Sequence, residues 1–269
     1  MTIPPEVYAR RANPPAFNVP GAVLALIVAI LVVHGVVSNL SDAMQNEIVV
    51  LFGLLPGRFT EVPGHPDLVF PGGLAGELFS LISYTFLHGS WAHVLVNAVW
   101  LLAFGTPVAR RVGSVRFLLF YFACGIVGGL LHVWLNAGSL IPVIGASAAI
   151  SGMMGGAARF VFLADGPLGG LSGAPYASSA PRAQTSIGRA LTDRRVLIFA
   201  GVWIGLNLLF GPTGINPTGE NVSVAWEAHL GGFLAGLFFF GLFDPYRTSP
   251  SGGPGNVGYG EWSGRNKLS

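Results

Sequence analysis

At 269 residues, with 52% hydrophobic but only 10% charged residues and a mean hydropathy of +0.62, the chain has too few charges to coat a soluble surface, where about 25% is usual. Its 14 basic and 12 acidic residues leave a net charge of +2, so no global field directs it to nucleic acid or to an acidic ligand. The single cysteine, Cys124 in an apolar run, excludes an internal disulfide and any multi-cysteine zinc site.

A helix that crosses a hydrocarbon core of about 30 Å needs about 20 mostly apolar residues. Six stretches approach that length: 20–37, 92–108, 117–135, 142–163, 196–210 and 224–243. No small-residue cleavage site occurs in 39–44, so the first reads as a retained helix and not a signal peptide. Between the first two spans, apolar stretches at 48–55 and 74–86 are broken by Pro56, Pro63, Pro66 and Pro71, a pattern suited to short interfacial or re-entrant helices. Segments 166–186 and 248–269 are rich in Gly, Pro and Ser and read as flexible connectors. The expected organisation is an N-terminal tail over 1–19, an all-α membrane domain of six helices over 20–244 with a long outer loop between the first two, and a flexible tail over 245–269.

Cytoplasmic flanks collect Lys and Arg. Arg10 and Arg11 precede the first span, Arg110, Arg111 and Arg116 separate the second from the third, and Arg182, Arg189, Arg194 and Arg195 separate the fourth from the fifth. Arg247, Arg265 and Lys267 follow the sixth. The other side carries Asp42, Glu47, Glu61, Asp67, Glu77 and Glu220, with Arg58 as its one basic residue. Both termini are therefore expected in the cytoplasm.

Polar groups inside a span are costly and mark candidate sites. His93 and Asn97 stand four apart and share a helical face. Ser147 opens the fourth span in Gly145-Ala146-Ser147, and His229 opens the sixth, followed by Gly231 and Gly232. Spans two, four and six all begin on the acidic side, so these four residues lie at similar shallow depth. Ser147, Ser151 and Gly155 recur at spacing four, as do Gly152 and Gly156, and Gly232 and Gly236, which allows spans four and six to approach closely. That approach brings Ser147 beside His229, a minimal base-activated nucleophile. The Ser147 N–H, His93 and Asn97 then offer donors for an oxyanion. Each residue alone has a packing alternative. Ser151, Ser83, His34 and His132 read as structural, and His65 and His88 as solvated loop residues.

His93-x3-Asn97, Gly145-Ala146-Ser147 and Ala228-His229-Leu230-Gly231-Gly232 resemble, in order, the three signatures of rhomboid intramembrane serine proteases. The resemblance spans roughly 37–243. It implies Ser147 as nucleophile, His229 as general base, and His93, Asn97 and the Ser147 N–H as oxyanion donors. It further implies no metal or cofactor, single-span or near-membrane protein substrates, and a multi-pass protein of a bacterial inner membrane whose site opens away from the cytoplasm. The chain departs from the family pattern at Ala148, where Gly is common, and at Ser151, where an aromatic often packs on the base. Trp226 or Trp203 is expected to orient His229 instead. The Trp-Arg pair of the first outer loop is missing, and Arg58 is the residue expected to do related work. Gly105 and Thr106 stand where the family often has Glu.

The alternative is an inactive rhomboid-like protein that binds transmembrane clients, a class that usually lacks the serine or the histidine. A transporter would show a midplane charge pair or matching broken spans, and only Glu227 is of that kind. No His-Glu-x-x-His zinc motif and no pair of intramembrane aspartates occur.

Overall fold

The computed structural model describes residues 19–163, 184–213 and 224–246. Outside them lie the expected tails through residue 18 and from residue 247, the connector 166–186 through residue 183, and Arg10, Arg11, Arg182, Glu220, Arg247, Arg265 and Lys267.

The described residues form helices joined by loops, with one isolated antiparallel bridge, Leu54 to Val143. Helix α1, Gly21–Val37, follows the extended Pro20 and is apolar on all sides, the composition of a helix solvated by lipid or protein and not water. Ser41 caps α2, Asp42–Phe52, and α3 covers Gly73–Ser83, so the two interrupted apolar stretches of the outer loop are short helices. Helix α4, Trp91–Trp100, is capped by Ser90 and passes through a π turn at Leu101–Gly105 into α5, Thr106–Val112. Pro107 cannot donate to the carbonyl four residues earlier, and the widened turn falls there. Helix α6 covers Ser114–Leu135, α7 Ser147–Ala157, α8 Ile187–Ala190, α9 Arg194–Thr213 and α10 Trp226–Phe243.

Among the described residues, four helices are long and apolar enough to cross a membrane: Trp91–Val112, Ser114–Leu135, Arg194–Gly211 and Trp226–Phe243. Away from the exposed arginines at their ends, their outward residues are apolar, as at Val99 and Leu242, which are 65% and 71% exposed. Helix α1 is shorter, at 17 residues. The expected fourth span, 142–163, needs correction: only Ser147–Ala157 is helical, and residues 158–163 form turns. Its approach is held extended by the paired Leu54 and Val143 backbones, at 3.0 and 2.9 Å. Ala148 to Ala157 are all buried, so α7 is surrounded by its neighbouring helices and not by lipid.

Glycine permits that enclosure. A Cβ at Gly232 or Gly236 would overlap the carbonyl oxygen of Ala148 or Gly152, one at Gly155 would strike the Phe233 carbonyl, and one at Gly128 of α6 the Ala228 carbonyl. Helices α6, α7 and α10 thus meet backbone to backbone, the close approach that small residues allow. By contrast, α9 is held mainly through rings. Phe199 lies 5.9 Å from Phe104, and Trp203 lies 6.4 Å from Trp100. Asp193 caps α9 by accepting from Arg195 N at 2.8 Å.

In the outer loop, the buried Arg58 donates to the carbonyls of Pro71, at 2.9 Å, and Val50, and lies over the Phe70 ring. Burial pushes its guanidinium below the ordinary range, opposed by Glu77. At the end of the bundle away from Ser147, Arg111 pairs with Asp244 at 2.9 Å, with side chains 9% and 0% exposed, and its guanidinium lies 4.8 Å from the Phe160 ring centre.

Candidate active site

The loop before α7 sets the position of Ser147. Gly145 adopts φ +126°, a conformation that side chains rarely allow, and its N–H donates to the Tyr84 carbonyl at 2.9 Å. Tyr84 is itself fixed by donating to the Gly125 carbonyl at 2.7 Å. A Cβ at Gly145 would stand 2.9 Å from His93 Nε2 and 3.7 Å from Asn97 Nδ2. The missing side chain therefore lets α4 press its polar face against the start of α7. Ser147 is the first residue of α7, so its N–H has no intrahelical acceptor and lies at the positive end of the helix.

His229 sits in the first turn of α10. Its Nε2 is 2.6 Å from Ser147 Oγ, and its Nδ1 is 2.7 Å from Asn207 Oδ1. Asn207 Nδ2 donates to the Trp203 carbonyl at 2.8 Å. The Trp203 ring is stacked over His229, 6.2 Å between centres and 30° between planes. Of the two tryptophans expected near the base, Trp203 is the one in place, whereas Trp226 packs on Gly211 of α9.

His93 and Asn97 face this cluster from α4 on the turn held by Ser90, whose Oγ accepts from His93 N at 3.1 Å. Asn97 is buried, and its Nδ2 has no hydrogen-bond partner among the described residues. All four sequence-derived site residues are thus brought together. Ser151 is fully buried and donates to the Ser147 carbonyl at 2.7 Å, a packing role that leaves no room for an aromatic.

The remaining histidines divide differently from expectation. His88 is buried and not solvated: its ring meets His93 edge-on at 5.0 Å, and its Nε2 lies 3.5 Å from Ala146 N. It lies in the loop between α3 and α4, as the local sequence reads, and contact with α4 and the start of α7 encloses it. His34 is buried with Nδ1 3.1 Å from the His88 carbonyl, and His132 lies 3.4 Å from Glu227, both in structural settings. His65 is exposed. Arg58 binds loop carbonyls, as described, and does not reach Ser147. Among the described residues, no group of three or more His, Cys, Asp or Glu is arranged to hold a metal ion.

Asn207 is not among the residues that the sequence motifs single out. Its signal is present, because an amide in an otherwise apolar span is an intramembrane polar group like the others. Its partner is 22 residues away on another helix, and no spacing rule connects them.

The Rhomboid domain family model matches residues 75–244. The chain is 41% identical over 80 residues to rhomboid protease GluP of Bacillus subtilis, covering 30% of this chain and 15% of that protein. It is 34% identical over 85 residues to rhomboid-like protease 3 of Toxoplasma gondii, covering 32% of each. With rhomboid protease GlpG of Haemophilus influenzae it shares 28% identity over 89 residues, 33% of this chain and 43% of that one. The matched stretch therefore spans less than half the length of each of these relatives.

Proposed function

The chain belongs to the Rhomboid domain family of membrane proteins, and from that premise we propose that it is an intramembrane serine protease with Ser147 as nucleophile and His229 as general base. The observation that carries the reading is the 2.6 Å approach of Ser147 Oγ to His229 Nε2, within hydrogen-bond reach for proton transfer.

In the proposed reaction, His229 Nε2 takes the Ser147 hydroxyl proton as Oγ adds to a substrate carbonyl. The carbonyl oxygen becomes an oxyanion that accepts from the Ser147 N–H, Asn97 Nδ2 and His93. His229 then passes the proton to the leaving amine, and the C–N bond breaks. The acyl group remains on Ser147 as an ester, which water hydrolyses with His229 again as base. No metal or cofactor enters these steps.

Substrates in this reading are single-span or near-membrane proteins in the lipid bilayer. Water has to reach Ser147 to hydrolyse the ester, so the polar cluster faces an aqueous cavity and not lipid. We read the bundle as six crossings, formed by α1, α4 with α5, α6, α7, α9 and α10, in a bacterial inner membrane. Both termini are cytoplasmic, and the cavity opens on the side of the acidic outer loop.

The test is incubation of the purified protein with a panel of single-span substrates. Wild type is expected to cut at least one of them near its outer membrane boundary, and Ser147→Ala none. Equal cleavage by both proteins would remove the assignment of Ser147.

A further inference from the structure

We infer that Asn207 is a positioning residue for His229, completing a Ser147–His229–Asn207 relay whose third member comes from α9. The inference rests on the protease reading and adds to it what holds the base in register.

The hydrogen-bond directions follow from donor and acceptor chemistry. The Trp203 carbonyl can only accept, so the Asn207 group facing it at 2.8 Å is the amide nitrogen. The Asn207 oxygen then faces His229 Nδ1 at 2.7 Å. An amide oxygen also can only accept, so Nδ1 carries the proton. Neutral imidazole has one N–H, which leaves Nε2 as an acceptor 2.6 Å from Ser147 Oγ. Asn207 thus selects the tautomer that is able to take the Ser147 proton. The opposite tautomer would present an N–H to a hydroxyl and be useless as a base.

Orientation is set on the same helix. Trp203, one turn before Asn207, stacks over the imidazole, while Ser151 is turned back onto the Ser147 carbonyl and contributes no ring. The ring contact on His229 and the hydrogen bond on its Nδ1 therefore both come from α9. Asn207 is only 8% exposed, so water competes little for Nδ1. The titratable groups facing His229 from the other helices are His93 of α4 and His132 of α6, and neither is bonded to Nδ1.

The test compares wild type with Asn207→Leu, of similar volume but without the acceptor, and Asn207→Asp, which keeps an acceptor oxygen. Two readouts are needed: the histidine 15N shifts that distinguish Nδ1–H from Nε2–H, and kcat separately from KM. Asn207→Leu is expected to lose the pure Nδ1–H signature of His229 and to lower kcat by about 10-fold or more with KM little changed. The upper bound is the roughly 10⁴-fold cost of a wrong tautomer in a serine-protease triad. Asn207→Asp should retain the Nδ1–H form and recover most of kcat. If Asn207→Leu does not fold, Asn207→Ser, too short to reach Nδ1, takes its place. An unchanged tautomer, or an unchanged kcat, in the variant without the acceptor would overturn the role of Asn207. Absence of cleavage by wild type, together with no labelling of Ser147 by a fluorophosphonate serine-hydrolase probe, would instead overturn the protease reading, and the 15N signature would still decide what Asn207 does.

Discussion

Gly232 of α10 lies against the backbone carbonyl of Ala148 in α7, closer than any side-chain carbon could come. The two residues neighbouring Ala148 and lying three before Gly232 in their helices are Ser147 and His229. Helix approach and the side-chain pairing are thus one geometric fact, since the hydroxyl meets the imidazole only if the backbones touch.

Gly232→Ala should therefore separate the pair. Overpacking of this kind costs about 1–3 kcal/mol, seen as a lower unfolding temperature in detergent, and cleavage should fall at least about 10-fold. A Cβ at Gly205 of α9 meets nothing within 4 Å, so Gly205→Ala should change stability by less than about 1 kcal/mol and leave cleavage intact. Matching behaviour of the two variants would show that the α7 to α10 contact does not limit the reaction.

Asn97→Ala should lower kcat/KM by on the order of 10²-fold to 10³-fold, the usual cost of one oxyanion donor. The fold should persist, because Asn97 Nδ2 holds no hydrogen bond among the described residues. His93→Ala should reduce cleavage without abolishing it. Full activity in the double variant would exclude both side chains from the oxyanion site.

Asp244→Ala removes one half of a buried ion pair far from Ser147. Breaking such a pair costs about 3–5 kcal/mol, so unfolding should occur well below the wild-type temperature. Replacing both partners, Arg111→Met with Asp244→Leu, should recover much of the loss, because Arg111 is then not left as an unpaired buried charge, while the buried Arg159, which also interacts with Asp244, keeps its bonds to the Thr185 and Leu237 carbonyls. A double variant as unstable as Asp244→Ala would mean that Arg111 acts chiefly through its contacts with Phe160 and Tyr246.

Sidedness is open to cysteine labelling, since Cys124 is buried and gives little background. A membrane-impermeant thiol reagent applied outside intact cells should label Glu61→Cys and spare Thr192→Cys. The reverse pattern would invert the topology and turn the cavity toward the cytoplasm.

Composition and spacing alone determined the membrane class, the approximate positions of the long apolar helices, the shared face of His93 and Asn97, and the glycine rows that let α7 and α10 meet. These properties are local: partition into lipid depends on a run of side chains, and a helical face repeats every three to four residues. Tertiary structure decided what locality could not. It shortened the fourth apolar stretch to an enclosed 11-residue helix, buried His88 beside His93, and chose Trp203 over Trp226 as the ring on His229. It also brought Asn207 to His229 Nδ1. Each of these depends on how far one helix is rotated and advanced against another, a relation fixed by close contact between residues distant in the chain, and no period within a single helix encodes it.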